Sequence, residues 1–260
     1  MKILSIIASP RKNGKTFRLV RQVEDKLKTL GEFECEHLFL ADADLKMCQG
    51  CAACLSAGED YCPVQDDRKA IEEQILNCNG VILASPVYAM NMTALMKKFM
   101  DRFAFTMHRP RFFHQPALIV CTTGIVGLKE TIKSIAAIRF CGFPIIDSVG
   151  AVIPDDDLVT EKDKADLAKN VERAARKFSD SVNNKKQPSP TFEGLVQFRV
   201  QQAIFSLLQD RNPADYAYFQ DKGWFDSEAQ YFVEANVNPI KEFFARRIAS
   251  KARRNFQKQL

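Results

Sequence analysis

The chain has 260 residues, 46% of them hydrophobic, and a formal charge of +5 at pH 7. That is enough for one large domain, or a medium one with an extension, around a sizeable core. The charge is too mild and uneven to point to nucleic acid, and no apolar run approaches the length of a membrane span. Eight cysteines occur in a chain that opens directly on a strand, without a secretory leader. This predicts a cytoplasmic setting, and metal or redox chemistry in preference to disulfides.

Residues 3–8 read as a buried parallel strand. Residues 17–30 carry Phe17, Val20, Val23, Leu27 and Leu30 at helical spacing, and Gly31 stands where helices commonly end. Between them lies Ser9-Pro10-Arg11-Lys12-Asn13-Gly14-Lys15-Thr16. A strand-to-helix loop aims backbone N–H groups and the positive helix end at one spot, which suits a phosphate. Ser9, Asn13 and Thr16 add neutral donors; Arg11 and Lys15 add charge. Gly14-Lys15-Thr16 imitates the end of a Walker A motif, but that motif needs glycine where Ser9 stands. A dinucleotide fingerprint needs three spaced glycines, and only Gly14 is here. A flavin phosphate loop and an ordinary β–α turn remain.

Residues 33–40 read as a second strand. The segment from 41 to 67 is longer than a usual connection, and such loops are commonly functional. It holds Cys48-Gln49-Gly50-Cys51-Ala52-Ala53-Cys54, then Cys62-Pro63. The C-x2-C-x2-C-x7-C spacing is the most specific local signal in the chain. Three thiolates two residues apart can wrap one corner of a compact cluster, and a fourth closes it. Bacterial ferredoxins open with the same spacing and follow a cysteine with proline. Gly50, Ala52 and Ala53 let the backbone come close. Zinc, which favours paired knuckles, and free thiols are the alternatives. Cys35, Cys78, Cys121 and Cys141 stand singly in or beside apolar elements and read as core.

A helix over 66–76 begins with two acids at its positive end. A short buried strand follows over 80–84, then the loop 85–93, which contains Ser85-Pro86-Val87-Tyr88. The next helix has Met92, Leu95, Met96, Phe99 and Phe103 on one face. Lys97, Asp101 and Arg102 read as structural or interfacial. Residues 117–121 form a fourth strand, followed by Thr122-Thr123-Gly124 and a helix over 128–140. A fifth strand spans 144–152, and a helix spans 161–182. This alternation predicts a parallel doubly wound sheet, with three polar loops at its carboxyl edge. His37, His108 and His114 show no ligand spacing and read as structural or solvated.

Residues 183–190 have linker composition. Beyond them the pattern is helical over 192–208 and from Pro213, with an aromatic cluster of Trp224, Phe225, Tyr231 and Phe232. From Pro239 a basic amphipathic helix sets Ile240, Phe243, Phe244, Ile248 and Ala252 on one face. Such a helix suits an anionic membrane surface or an acidic partner. Packing on the core domain or on a second subunit is the plainer alternative.

The Ser9–Thr16 loop, with Ala8 in place of a glycine, resembles the phosphate loop of the NADPH-dependent FMN reductase and flavodoxin-like group. Ser85-Pro86-Val87-Tyr88 resembles that family's isoalloxazine-lining segment. Together with the cysteine run, the chain resembles the iron–sulfur flavoproteins over residues 1–183. The resemblance implies a flavodoxin-like α/β fold, a five-stranded parallel sheet in the order 2-1-3-4-5, with a C-terminal helical extension. It implies a domain over 1–183 with a cysteine-rich loop at 47–63, leaving 184–190 as linker and 191–260 as the extension. FMN would be held by Ser9, Arg11, Asn13, Gly14, Lys15, Thr16, Pro86, Val87, Tyr88 and Asn91, with Thr123 and Gly124 as weaker contacts. Cys48, Cys51, Cys54 and Cys62 would ligate a [4Fe–4S] cluster. The implied activity is a flavin-dependent oxidoreductase, taking electrons from ferredoxin or NAD(P)H and passing them to a quinone or oxygen species. A homodimer or homotetramer is implied as well, with no nucleic acid. The alternatives are a cluster-free NAD(P)H-dependent reductase, and an electron carrier or redox sensor docked to a membrane or partner through 239–258.

Overall fold

A computed structural model describes residues 1–154, 159–184 and 187–259. Residues 185 and 186 of the expected linker lie outside this set. The sheet comprises β1 (Lys2–Ile7), β2 (Glu34–Phe39), β3 (Gly80–Tyr88), β5 (Ala117–Thr123) and β6 (Ile145–Val152), with a two-residue β4 (Asn91–Met92). Its order is β2-β1-β3-β5-β6, with every neighbouring pair on that path parallel. This is the expected 2-1-3-4-5 order once the short β4 is set aside; β4 folds back antiparallel on β3.

The three central strands are almost wholly buried. That is why they read as continuous apolar runs, whereas β2 at the edge has no fully buried residue. Side chains leave a strand on alternate faces, so β1 serves two cores. Leu4 and Ile6 join Leu83, Phe99 and Phe103 on one side. Ile3 and Ile7 join Val20, Leu27, Phe178 and Val182 on the other. The second core is roofed by α1 (Lys15–Lys28) and α6 (Glu161–Asn184). The first lies under α3 (Arg68–Leu76), α4 (Ala94–Arg102) and α5 (Leu128–Ile135).

Several boundaries differ from the sequence reading. β3 continues through Pro86 to Tyr88, because Pro86 keeps strand register opposite Thr122. Two residues in left-handed conformation, Ala89 and Met90 (φ 47° and 65°), then turn the chain into β4. The helix expected over 128–140 is α-helical only to Ile135 and tightens into a 3-10 turn over Ala136–Cys141. The long cysteine-bearing connection contains a single helical turn, α2 (Ala53–Ser56), and a 3-10 turn at Glu59–Tyr61. Cys78, Cys121 and Cys141 are buried, as expected for core; Cys35, on the edge strand, is only half-buried.

The C-terminal part forms α7 (Phe192–Phe205), α8 (Pro213–Asp221) and α9 (Pro239–Gln257). A third core of Phe198, Phe219, Trp224 and Phe232 holds them together, and Phe113 of the α/β body inserts into it. Gln197 donates to the carbonyls of Met107 (2.9 Å) and Phe140 (2.8 Å), which fastens α7 to the body. In α9 the buried face is Ala245 and Ala249, whereas Ile240, Phe243, Phe244 and Ile248 are exposed. The small residues let α9 come close to its support, so its large apolar face points outward and does not pack on the body.

Candidate functional site

The first feature lies at the carboxyl ends of β1, β3 and β5, the crevice where open α/β sheets bind ligands. A cavity of about 270 Å³ is walled by Ser9, Arg11, Gly14, Lys15 and Thr16, by Pro86, Val87 and Tyr88, and by Thr123 and Gly124. Asn13 and Asn91 of the expected set are not in this wall; the Asn91 side chain accepts the Met92 N–H at 2.8 Å instead.

The β1–α1 loop is wound tightly. Ser9 Oγ accepts the Arg11 N–H at 3.2 Å, and the Arg11 carbonyl accepts the Gly14 N–H at 3.1 Å. A Cβ on Gly14 would lie 3.2 Å from that carbonyl oxygen, closer than side chains usually tolerate. Gly14 is the cap of α1, and its side contributes no capping hydrogen bond to the helix end, so the positive terminus faces the cavity. Lys15 Nζ donates to the carbonyls of Ile153 (3.2 Å) and Pro154 (2.6 Å), which draws the exit of β6 against the loop. Thr16 and Thr122 share a hydrogen bond of 2.6 Å across the cavity floor.

The second wall is fixed by two residues absent from the expected set. Ser85 Oγ accepts the Thr93 N–H at 3.2 Å and donates to the Pro86 carbonyl at 2.8 Å. Thr93 caps α4 by accepting the Met96 N–H, and its hydroxyl donates to the Ala8 carbonyl at 2.8 Å. The two loops are thereby locked to one another. Left-handed conformation at a residue other than glycine costs about 1–3 kcal/mol, and the Ala89–Met90 turn carries two such residues. Gly127 (φ +85°) lets the loop after β5 press on that turn, since a Cβ there would stand 2.8 Å from Val87 Cγ1.

The second feature is a cavity of about 370 Å³ lined by Cys48, Cys51, Cys54 and Cys62 together with Val64, Arg102, Phe105, Met107 and His108. Among the described residues no three Cys, His, Asp or Glu side chains converge to hold a metal ion; the four cysteines line one space. Gly50 and Ala52 take left-handed conformations (φ 66° and 57°) as the run wraps this space. Arg102 Nη1 donates to Cys62 Sγ at 3.3 Å, while its Nε and Nη2 grip Asp66 at 2.7 and 2.9 Å. Burial alone would raise the Cys62 thiol. The hydrogen bonds from Arg102 and from the Val64 N–H, with the charges of Arg102 and Arg68, outweigh burial and hold its pKa below the ordinary value. Burial wins at Cys54, whose pKa is raised despite Arg109.

Arg109 is 2% exposed. It donates to the Cys54 carbonyl at 2.5 Å, to Glu59 Oε2 at 2.9 Å, and to Asp215 of α8. Asp215 is fully buried and also takes a hydrogen bond of 2.8 Å with His108 Nδ1. Arg111 bridges Glu59 (2.7 Å) and Glu72 (2.8 Å). A C-terminal helix thus buttresses the cysteine loop through a buried charge network.

The family described as NADPH-dependent FMN reductase matches residues 1–155. The chain belongs to that family. It is accordingly a flavin-dependent oxidoreductase of the FMN reductase family. A protein named iron-sulfur flavoprotein from Archaeoglobus fulgidus is 29% identical over 235 residues, which cover 86% of this chain and 100% of that one. Another of that name, from Methanosarcina thermophila, is 32% identical over 139 residues, 52% of this chain and 71% of its own length. The solved structure of RosB, with bound 8-demethyl-8-formylriboflavin-5'-phosphate, superposes with a TM-score of 0.58 at 12% identity over 92% of both chains. An FMN-dependent NADH-azoreductase from Bacillus anthracis gives 0.50 at 16% identity, over 69% of this chain and 100% of that one. At such identities the structures speak for the fold alone.

The family match ends before α6, so it leaves Asp215 and the other C-terminal residues uncovered. Thr93, Arg109 and Asp215 had no role in the sequence reading, Ser85 was named only as part of its loop, and Arg102 and His108 were read as structural, interfacial or solvated. For Thr93 a signal existed, because threonine before an apolar helical stripe is a capping residue. The salt-bridged arginines had none: their partners lie far away in sequence.

Proposed function

We propose that this FMN reductase family member is an iron–sulfur flavoprotein. In it FMN occupies the cleft at the carboxyl edge of the sheet, and a [4Fe–4S] cluster occupies the cysteine cavity. Bound there, FMN would exchange two electrons, together or singly, and the cluster one, which joins one-electron carriers to two-electron donors or acceptors. Electrons would come from NAD(P)H or a ferredoxin and leave to a small acceptor such as a quinone or oxygen species. The iron–sulfur flavoprotein names of the relatives support the cluster.

The observation that carries the reading is the cysteine cavity itself. All four cysteines of the motif line one space, and Arg102 donates to one of their sulfurs. Arg102, buried and paired with Asp66, would keep its Nη1 donor on the sulfur of one ligand. In the other cleft, Ser9, Gly14 and Thr16 at the start of α1 would hold the FMN phosphate. Pro86, Val87 and Tyr88 would flank the ring system, with Thr123 and Gly124 opposite. Asn13 and Asn91 are weaker proposals, since neither lines the cavity. The two features sit at opposite ends of α4. Thr93 caps its start, and Arg102 is its last residue. Its nine residues span about 13 Å at 1.5 Å each, so one rigid helix sets the spacing within a subunit.

The test is anaerobic turnover of the FMN-loaded protein with NADPH, NADH or reduced ferredoxin as donor and a quinone as acceptor. Oxidation of a donor that depends on FMN supports the reading. If Cys48→Ser abolishes the ferredoxin-linked rate but spares the NAD(P)H-linked rate, the cluster carries the one-electron branch. No oxidation of any of these donors overturns the proposal.

A further inference from the structure

We infer that α9 docks the protein on an anionic lipid surface, with Phe243, Phe244, Ile240 and Ile248 entering the headgroup boundary. This helix already has a support: Ala245 and Ala249 are buried beneath it. Arg199 of α7 binds Glu242 on that side through Nε at 2.7 Å. The opposite face is therefore a second one, without a partner among the described residues. Ile240 is 70% exposed, Phe243 55%, Phe244 52% and Ile248 42%. Four large apolar side chains within nine residues, all facing water, are not the scattered surface hydrophobics of an ordinary helix.

Charge says what covers them. At 100° per residue, Arg247, Lys251, Arg254 and Lys258 continue the same outward face toward the C-terminal end of α9. Lys241 flanks it. The acid of this helix is Glu242, and it is engaged by Arg199 and Arg246. The exposed face thus has an apolar leading half and a basic trailing half, with no acid on it. A second copy of the chain brings only this same apolar and basic face, with no acid on it to meet the cations. An anionic bilayer accepts both halves at once: it buries the phenylalanines and neutralises the cations with headgroups.

The test uses the full chain, flavin-loaded, in flotation with two kinds of vesicle: phosphatidylcholine alone, and phosphatidylcholine mixed with phosphatidylglycerol. Binding is expected only to the anionic vesicles, weakening as salt rises. Phe243→Ser with Phe244→Ser changes exposed positions and spares the fold, which the far-UV circular dichroism and bound flavin confirm. It is expected to weaken binding at least about tenfold, from the apolar area withdrawn from water. Lys251→Gln with Arg254→Gln is expected to weaken it and to flatten the salt dependence. Absence of binding to the anionic vesicles at low salt overturns the inference. So does binding that the phenylalanine changes leave intact, which would be surface electrostatics alone. Dimerisation lost on the same phenylalanine changes, without vesicle binding, assigns the face to a second copy and equally overturns it.

Discussion

Asp215→Asn removes one charge from the buried network that ties α8 to the cysteine loop. The change keeps volume and shape, so no cavity opens. It leaves Arg109, at 2% exposure, with Glu59 as its remaining carboxylate partner at 2.9 Å. Breaking a buried ion pair by removing one partner costs about 3–5 kcal/mol. Because Glu59 remains, the lower end applies, about 3 kcal/mol. With a urea m-value of about 3 kcal/mol/M, the unfolding midpoint should fall by about 1 M. Arg109 would also hold the Cys54 carbonyl less firmly, so Cys54 should alkylate faster in the cluster-free folded protein. The double variant Arg109→Met with Asp215→Leu should recover much of the loss, since an apolar pair replaces an ion pair at little net cost. An unchanged midpoint for Asp215→Asn would show that the network carries no stability. A double variant as unstable as the sum of the two single ones would show that the residues do not act as a pair.

Thr93→Val removes both the α4 cap and the tie to the Ala8 carbonyl. It should lower stability by about 1–2 kcal/mol and weaken FMN binding severalfold; calorimetric titration with FMN checks this, and unchanged affinity refutes the lock between the loops. Gly127→Ala places a methyl 2.8 Å from Val87 Cγ1 at a left-handed position, so it should shift the β3–β4 hairpin and weaken FMN binding too, with the same titration deciding. Burial tends to raise the Asp66 and Glu59 carboxyls, but Asp66's hydrogen bonds from Arg102 and backbone N–H groups, and Glu59's arginine neighbours, hold both below their ordinary values of 3.8 and 4.5. A lowered folded pKa gives stability that is present above the unfolded value and lost as pH falls through the folded one. Cluster-free protein should therefore lose urea stability below about pH 4.5, and Asp66→Asn should shrink that loss; an equal loss in the variant contradicts the assignment. Burial pushes the Cys121 and Cys141 thiols up to about 12, so mass spectrometry after iodoacetamide at pH 8 should find them unmodified in the cluster-free folded protein, with the exposed Cys48 and Cys51 modified.

The sheet was legible because its central strands are buried on both faces and so carry unbroken apolar runs. The cysteine motif was legible because its signal is a spacing within one segment. Other features depended on information that a local pattern does not hold. β3 overran its expected end because Pro86 stays in register with Thr122, which only the neighbouring strand reveals. The face that α9 buries was not legible for a reason of size. Periodicity marked the large side chains, but Ala245 and Ala249 permit the close approach that seats the helix. Asp215 stands in the first turn of α8 beside Pro213. Its partner Arg109 is 106 residues away, and only folding brings them together. The C-terminal helices, which showed no chemistry in sequence, supply the carboxylate behind the cysteine loop.

The most direct measurement is the content of iron, acid-labile sulfide and flavin in one sample purified without air. One FMN is expected, with about four iron and four sulfide per chain as a [4Fe–4S] centre requires, and loss of the iron when Cys48, Cys51, Cys54 or Cys62 is changed to serine. Flavin without iron or sulfide, even after anaerobic reconstitution, would contradict the cluster and leave a plain FMN reductase. A protein with no affinity for FMN would contradict the account at its root.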